Sequence, residues 1–317
     1  MPVKPILWGL GAFLVLALAA ACGDNDAQPD GPVHREIDAE FIPIVISTDI
    51  AAGENRFLVG LIRQEDSSPV TGADLHFRFL QFEGNEATER FQADAEAITI
   101  PRTFVHLHDD GTRHVHELGE TGAYVAYVEF DQPGAWAVEV TGSVEGKELE
   151  PVRPTFSVLE AGQTLAVGDP APRTDHPTLA DVGDIALLDT SQEPIPQMHQ
   201  MTIAEAVTSG RPSVIIFATP AFCQSQICGP TKDIVDELYH AYGDRANFVH
   251  IEPYDVQRMR NGECPSLFDC LAPAVREWGL RNEPWVFIVD ANGNIAGKFE
   301  GIVSYDELER ALAPLVS

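Results

Sequence analysis

Between residues 39 and 160, apolar and polar positions alternate in short runs separated by turn residues. The runs are FIPIVIS (41–47), RFLVGLI (56–62), DLHFRFLQF (74–82), AYVAYVEF (123–130) and AWAVEV (135–140). A period of two predicts strands, with Tyr124, Ala126, Val128 and Phe130 on one face and Trp136, Val138 and Val140 aligned on the next strand. Asp131-Gln132-Pro133-Gly134 predicts the turn between them. Residues 161–188 are rich in Gly, Pro and Asp and read as a connection lying over the surface of the segment that follows. From residue 189 the pattern changes. A short helix over 201–209 precedes the continuous apolar run SVIIF (213–217), as expected of a strand covered on both faces. An amphipathic helix (231–242), a strand (247–251), a helix (271–280) and two strands (285–289, 295–299) come next. Ser304, with Glu307 three residues on, predicts the capping box of a last helix whose apolar side is Tyr305, Leu308, Ala311, Leu312 and Leu315.

Short strands with regular turns predict an N-terminal all-β sandwich of immunoglobulin-like type over 39–160. No cysteine lies in that stretch, so an inter-sheet disulfide is not expected. Strand–helix alternation predicts an α/β domain over 189–317. The first 38 residues belong to neither. Residues 1–21 carry one Lys and then an apolar run too short to span a bilayer comfortably, which suits a signal peptide. Residues 22–38 begin CGDNDAQPDGP and read as a flexible tether. Ala19-Ala20-Ala21 before Cys22 resembles the lipobox of bacterial lipoproteins, in which the chain is cut before the cysteine and the thiol takes lipid. Ala19 stands where that pattern prefers Leu. The expected location is therefore extracytoplasmic, with membrane contact through a lipid anchor on Cys22 alone. The net charge of −29, from 20 basic and 49 acidic residues, argues against nucleic acid as a partner.

An oxidising compartment permits disulfides among the other four cysteines. Four cysteines allow three pairings, and proximity in sequence favours Cys223 with Cys228 and Cys264 with Cys270. The stretches IIFATPAFCQSQICGPTK (215–232) and EPWVFIVDANGNIAGKFEG (283–301), with the last helix, resemble the thioredoxin-like superfamily. The resemblance covers about half of the chain. It implies a thioredoxin-like fold and thiol–disulfide chemistry on protein thiols and disulfides, with no cofactor required. It makes Cys223 the attacking sulfur, Cys228 its resolving partner and Pro284 a cis-proline facing them. The physical basis is thiolate stabilisation by the unpaired N–H groups at a helix N-terminus. Four residues separate these cysteines where the family has two. At about 100° per residue, an offset of five cannot bring two side chains together on one helix. A disulfide therefore predicts Cys223 in a loop and a helix starting near Cys228, which Pro230 in the first turn favours. A second register, Cys228-Gly229-Pro230-Thr231-Lys232, would make Cys228 the attacking sulfur. Distance from the preceding strand favours Cys223. Cys264 and Cys270 read as a structural staple of the irregular stretch 253–269.

His106, His108, His114 and His116, in VHLHDDGTRHVHE, form a second constellation. Each pair has period two, and Asp110-Gly111 turns the chain between them, so the imidazoles suit copper or zinc if the loop parity puts them on one face. This supports a rival reading as a copper-handling protein. The Sco family resembles this chain in having a tethered thioredoxin-like fold with a cysteine pair and a histidine ligand. Its pair has three intervening residues, and its histidine falls where this chain reads Val289-Asp290-Ala291-Asn292; His250 is the near candidate. A third reading is a non-catalytic binding lipoprotein with a structural disulfide.

Overall fold

The computed structural model describes residues 39–107, 113–225 and 227–316, with the backbone alone described at 104–107 and 113. Among the described residues, the N-terminal half has nine strands: β1 (Phe41–Val45), β2 (Gly53–Arg63), β3 (Asp74–Glu83), β4 (Glu86–Asp94), β5 (Glu96–Leu107), β6 (Arg113–Phe130), β7 (Gly134–Val144), β8 (Lys147–Glu148) and β9 (Thr155–Val158). They make two antiparallel sheets, one in the order β1-β2-β6-β5 and the other β4-β3-β7-β8, with β9 also paired to β7. The alternation seen in the sequence decides which side chains meet between the sheets. Phe57, Val59 and Leu61 of β2 and Tyr124, Ala126, Val128 and Phe130 of β6 face Phe77 and Phe79 of β3 and Trp136, Val138 and Val140 of β7. Phe57 and Phe79 meet edge to face with centroids 5.0 Å apart.

Two features depart from simple alternation. β4 is mostly exposed and turns only Phe91 and Ala93 toward the core, with Phe91 stacked on Phe79 at 4.7 Å, so its period-two apolar signal is short. Pairing with β3 is what makes it a strand. On β2 and β6 the positions between the core residues are also buried. Leu58, Ala123 and Val125, with Ile98 and Ile100 of β5, pack outward against Ile302, Ile227 and Ile234 of the C-terminal half. The sheet β1-β2-β6-β5 therefore has an apolar residue on each side at its centre.

The C-terminal half contains α1 (Leu179–Val182), α2 (Ile203–Thr208), β10 (Ser213–Phe217), α3 (Cys228–Tyr242), β11 (Asn247–Ile251), α4 (Val256–Arg260), α5 (Pro273–Glu277), β12 (Trp285–Val289), β13 (Ile295–Glu300) and α6 (Tyr305–Leu312). Its sheet runs β11-β10-β12-β13. β10 and β11 are parallel, and the other two pairings are antiparallel. Every residue of β10, β11 and β12 is buried, because apolar layers cover both faces. Ile215 and Phe217 of β10 join Trp278, Trp285 and Phe287 on one side. Val214 and Ile216 join Val235 and Leu238 of α3 and Leu308 and Leu312 of α6 on the other. The Ser304–Glu307 capping box is present at the start of α6. The connection before residue 189 is held down rather than free. Gly168 and Ala171 donate backbone hydrogen bonds to Ile295 and Gly293, and Asp169 accepts one from Ile295. Residues 39–317 cluster as one compact unit. Among the described residues no helix is long and apolar enough to cross a membrane.

Candidate functional site

β10 ends at Phe217, and the chain then turns through Thr219 to Cys223 before α3 begins at Cys228. Cys223 thus lies in the loop and Cys228 in the first turn, the arrangement that an offset of five requires. The two sulfurs form a disulfide, with Cα atoms 6.0 Å apart. Their surroundings differ. Cys228 is fully buried, whereas Cys223 is half-buried. The backbone N–H of Cys228 donates to the sulfur of Cys223 at 3.4 Å, and the Ser225 hydroxyl lies 3.2 Å from the same atom. The sulfur nearer solvent therefore receives an N–H from the N-terminus of a 15-residue helix. Ile227, just before Cys228, is one of the residues packed beneath the β1-β2-β6-β5 sheet.

Facing the pair is the segment before β12. The Glu283–Pro284 bond is cis, Pro284 is buried, and its carbonyl accepts from the Gly301 N–H at 2.9 Å. That carbonyl is engaged within the fold. Glu283 reaches the sulfurs instead: a carboxylate oxygen lies within 4.8 Å of both Sγ atoms. Burial pushes the Glu283 carboxyl above its ordinary range, against the Tyr254 hydroxyl, which donates to Oε2 at 3.0 Å. Tyr254 also forms one wall of a cavity of about 500 Å³, lined besides by His199, His250, Glu252 and Leu271.

Behind the cysteine loop lies a buried charged network. Asp189 Oδ1 accepts from the Ser191 N–H and hydroxyl. Its Oδ2 meets His199 Nε2 at 3.1 Å, His250 Nδ1 at 3.2 Å and Lys232 Nζ at 3.9 Å. Lys232, one turn beyond Cys228, is fully buried and also pairs with Asp236 at 2.6 Å. Burial opposes the charged form of Asp189, but the imidazoles and the ammonium prevail and hold its carboxyl far below the usual range. Glu252 Oε1 accepts from Thr190, whose hydroxyl accepts the Ala221 N–H of the cysteine loop at 3.0 Å. The loop that carries Cys223 is thereby pinned to β11 through one threonine.

The expected site residues fall in different places. Cys223, Cys228 and the Glu283–Pro284 segment converge. Cys264 and Cys270 form the second disulfide, with Cα atoms 5.8 Å apart. His250 does not join the sulfurs: its Nε2 donates to the Ala218 carbonyl at 2.9 Å and its Nδ1 faces Asp189. In the hairpin β5–β6 the register pairs His106 with His114 and Phe104 with His116. His114 and His116 are exposed. His108 and Cys22 lie outside the described residues, as does the His106 side chain. Asp189, His199 and His250 bring three ligand atoms within 4.8 Å of one another, but the Lys232 ammonium already counters the carboxylate there. Glu283, Tyr254, Asp189 and Lys232 were not singled out in the sequence. The spacing of Cys228, Thr231, Lys232 and Val235 could have found Lys232, since 0, 3, 4, 7 traces one helix face and all four are buried.

No protein-family model matches the chain, and no curated protein matches it. Among solved structures it is similar to MTB dsbF in its mixed oxidized and reduced forms, at 24% sequence identity with a TM-score of 0.26. That match covers 35% of this chain and 85% of the other.

Proposed function

We propose that this protein is an extracytoplasmic thiol–disulfide oxidoreductase, with a thioredoxin-like domain that uses Cys223 and Cys228 on protein thiols and disulfides. In this reading Cys22 carries a lipid anchor, the β-sandwich is of immunoglobulin-like type, and no cofactor takes part. The observation that carries it is the asymmetry of the pair. The half-buried sulfur takes the helix N-terminal N–H, and its partner is buried beneath it. A thiolate on Cys223 is favoured by that donor and by the Ser225 hydroxyl. It attacks a substrate disulfide, expelling one substrate thiolate, which takes up a proton. Cys228 then attacks Cys223, the mixed disulfide breaks, and the second substrate sulfur leaves with the electron pair and takes up the Cys228 proton. The protein is oxidised by two electrons and the substrate reduced by two; the reverse sequence oxidises a dithiol.

The test is equilibration of the folded protein with glutathione buffers, followed by trapping of free thiols. Cys223 and Cys228 are expected to open and close reversibly while Cys264–Cys270 stays shut. A Cys223–Cys228 bond that resists millimolar dithiothreitol in the folded protein would leave a structural staple and favour the non-catalytic binding lipoprotein.

A second reading, copper or zinc binding at His106, His108, His114 and His116, draws support from the register that sets His106 opposite His114. Dialysed protein is then expected to take up one equivalent of Cu(II) and to lose that capacity with His106→Ala and His114→Ala together. An unchanged stoichiometry in the double variant removes the reading.

A further inference from the structure

We propose that Glu283 is the acid–base group of the exchange reaction, taking the proton from Cys228 when that sulfur attacks and returning it when that sulfur leaves. The inference rests on the redox reading of the cysteine pair and adds the group that moves the proton.

The need for such a group follows from burial. Cys223 has the Cys228 N–H and the Ser225 hydroxyl beside its sulfur. Cys228 is fully buried, and a buried thiol resists ionisation because the thiolate loses its hydration. Its proton needs an acceptor inside the site. Glu283 is placed for this, with a carboxylate oxygen within 4.8 Å of both sulfurs. Contacts of this kind are longer in the resting protein than in the reacting complex. Tyr254 holds one oxygen, Oε2, and a carboxylate has a second to turn toward sulfur. Burial also raises the Glu283 carboxyl toward the range of a thiol, which narrows the mismatch across which the proton must move. The titratable groups facing Glu283 are Tyr254, from the loop after β11, and the two cysteines ahead of and within the first turn of α3.

In the resolving step the Glu283 carboxylate takes the Cys228 proton and the resulting thiolate attacks the Cys223 sulfur. The Cys223–substrate bond breaks, and the substrate sulfur leaves with the electron pair. Glu283 then passes the proton to that sulfur. Atoms and charge balance: a thiol and a mixed disulfide become an intramolecular disulfide and a substrate thiol.

The experiment is a single turnover of reduced full-length protein with the aromatic disulfide DTNB, which releases one coloured thiol as Cys223 attacks and a second as Cys228 resolves. Glu283→Gln is expected to slow the second phase about 100-fold at pH 7 without slowing the first, since a carboxylate near the Cys223 sulfur disfavours rather than assists its thiolate. The difference should close as the pH rises and Cys228 ionises unaided. Glu283→Asp should restore part of the rate. Tyr254→Phe removes a hydrogen bond that favours the carboxylate, so the acid limb of the second-phase pH profile should move to higher pH. A second phase with wild-type rate and pH profile in Glu283→Gln overturns the proposal. Should Glu283→Gln fail to fold, an unmoved limb in Tyr254→Phe does the same. A wild-type protein lacking even the first phase overturns the redox reading itself, a distinct result.

Discussion

Replacing Cys223 by Ser is expected to abolish disulfide exchange, whereas replacing Cys228 by Ser should stop it halfway. The two sulfurs are joined in one bond but placed differently. Cys223 is half-buried and receives a helix N-terminal N–H; Cys228 is fully buried. Of the two sulfurs, Cys223 is thus the one expected to meet a macromolecular disulfide. Cys223→Ser should therefore bring the exchange rate down to that of the uncatalysed reaction. Cys228→Ser should accumulate a mixed disulfide on Cys223, visible by mass spectrometry, because attack proceeds and resolution does not. Alkylation of the reduced protein checks the same assignment: Cys223 should react roughly ten-fold faster than an unperturbed cysteine at pH 7, and Cys228 more slowly than one. A mixed disulfide that accumulates in Cys223→Ser instead would move the attacking role to Cys228 and select the Cys228-Gly229-Pro230 register.

The sequence and the structure agree where local chemistry decides and part where distant residues do. β10 was legible because five apolar residues in a row suit a strand covered on both faces, and α6 because Ser304 and Glu307 announce its start. The start of α3 at Cys228 followed from helix geometry once a disulfide was supposed. β4 was not legible: its apolar face is only Phe91 and Ala93 set among charged and polar residues, and it is a strand because β3 offers it an edge. The outward burial of Leu58 and Val125 was hidden for a related reason. An apolar residue between two core positions looks the same in sequence whether solvent or another layer lies over it, and here Ile227, Ile234 and Ile302 supply the layer. In the site, the cysteines and the X-Pro step were readable as residue types at a spacing. Lys232, Asp189 and Glu283 were not, because a charged residue is taken as solvated until a partner is known. The partners of Lys232 include Asp189, far away in the chain, and those of Glu283 are Tyr254 and the two sulfurs.

The same dependence on distant partners makes Arg56 a strong test of how the β-sandwich supports the C-terminal half. Its guanidinium grips Glu307 with two hydrogen bonds, Nε to Oε1 at 2.7 Å and Nη2 to Oε2 at 2.9 Å. It also donates to the carbonyls of Glu300 at 2.8 Å and Ile302 at 2.7 Å. The two side chains are only 7% and 2% exposed, so neither charge has water to replace its partner. Glu307 further accepts from the Tyr127 hydroxyl and from the Ser304 N–H at the α6 cap. Arg56→Ala would strand a buried carboxylate and two carbonyls and is expected to cost about 3–5 kcal/mol in urea unfolding. Arg56→Met with Glu307→Leu should cost much less, since no charge is then left unpaired. The pH dependence gives an independent sign. Burial alone would raise the Glu307 carboxyl, but Arg56 and its other donors hold it below the ordinary value. A carboxyl lowered on folding stabilises the protein above its unfolded value, and that stability is lost as pH falls through the folded value. The gap between wild type and the double variant should thus be steady from neutral pH to about pH 5 and shift against wild type at lower pH. If Arg56→Ala unfolds within about 1 kcal/mol of wild type, this buried pair is not what fastens β2 to α6, and the apolar layer of Leu58, Ile227 and Ile302 must hold the sheet against the cysteine site without it.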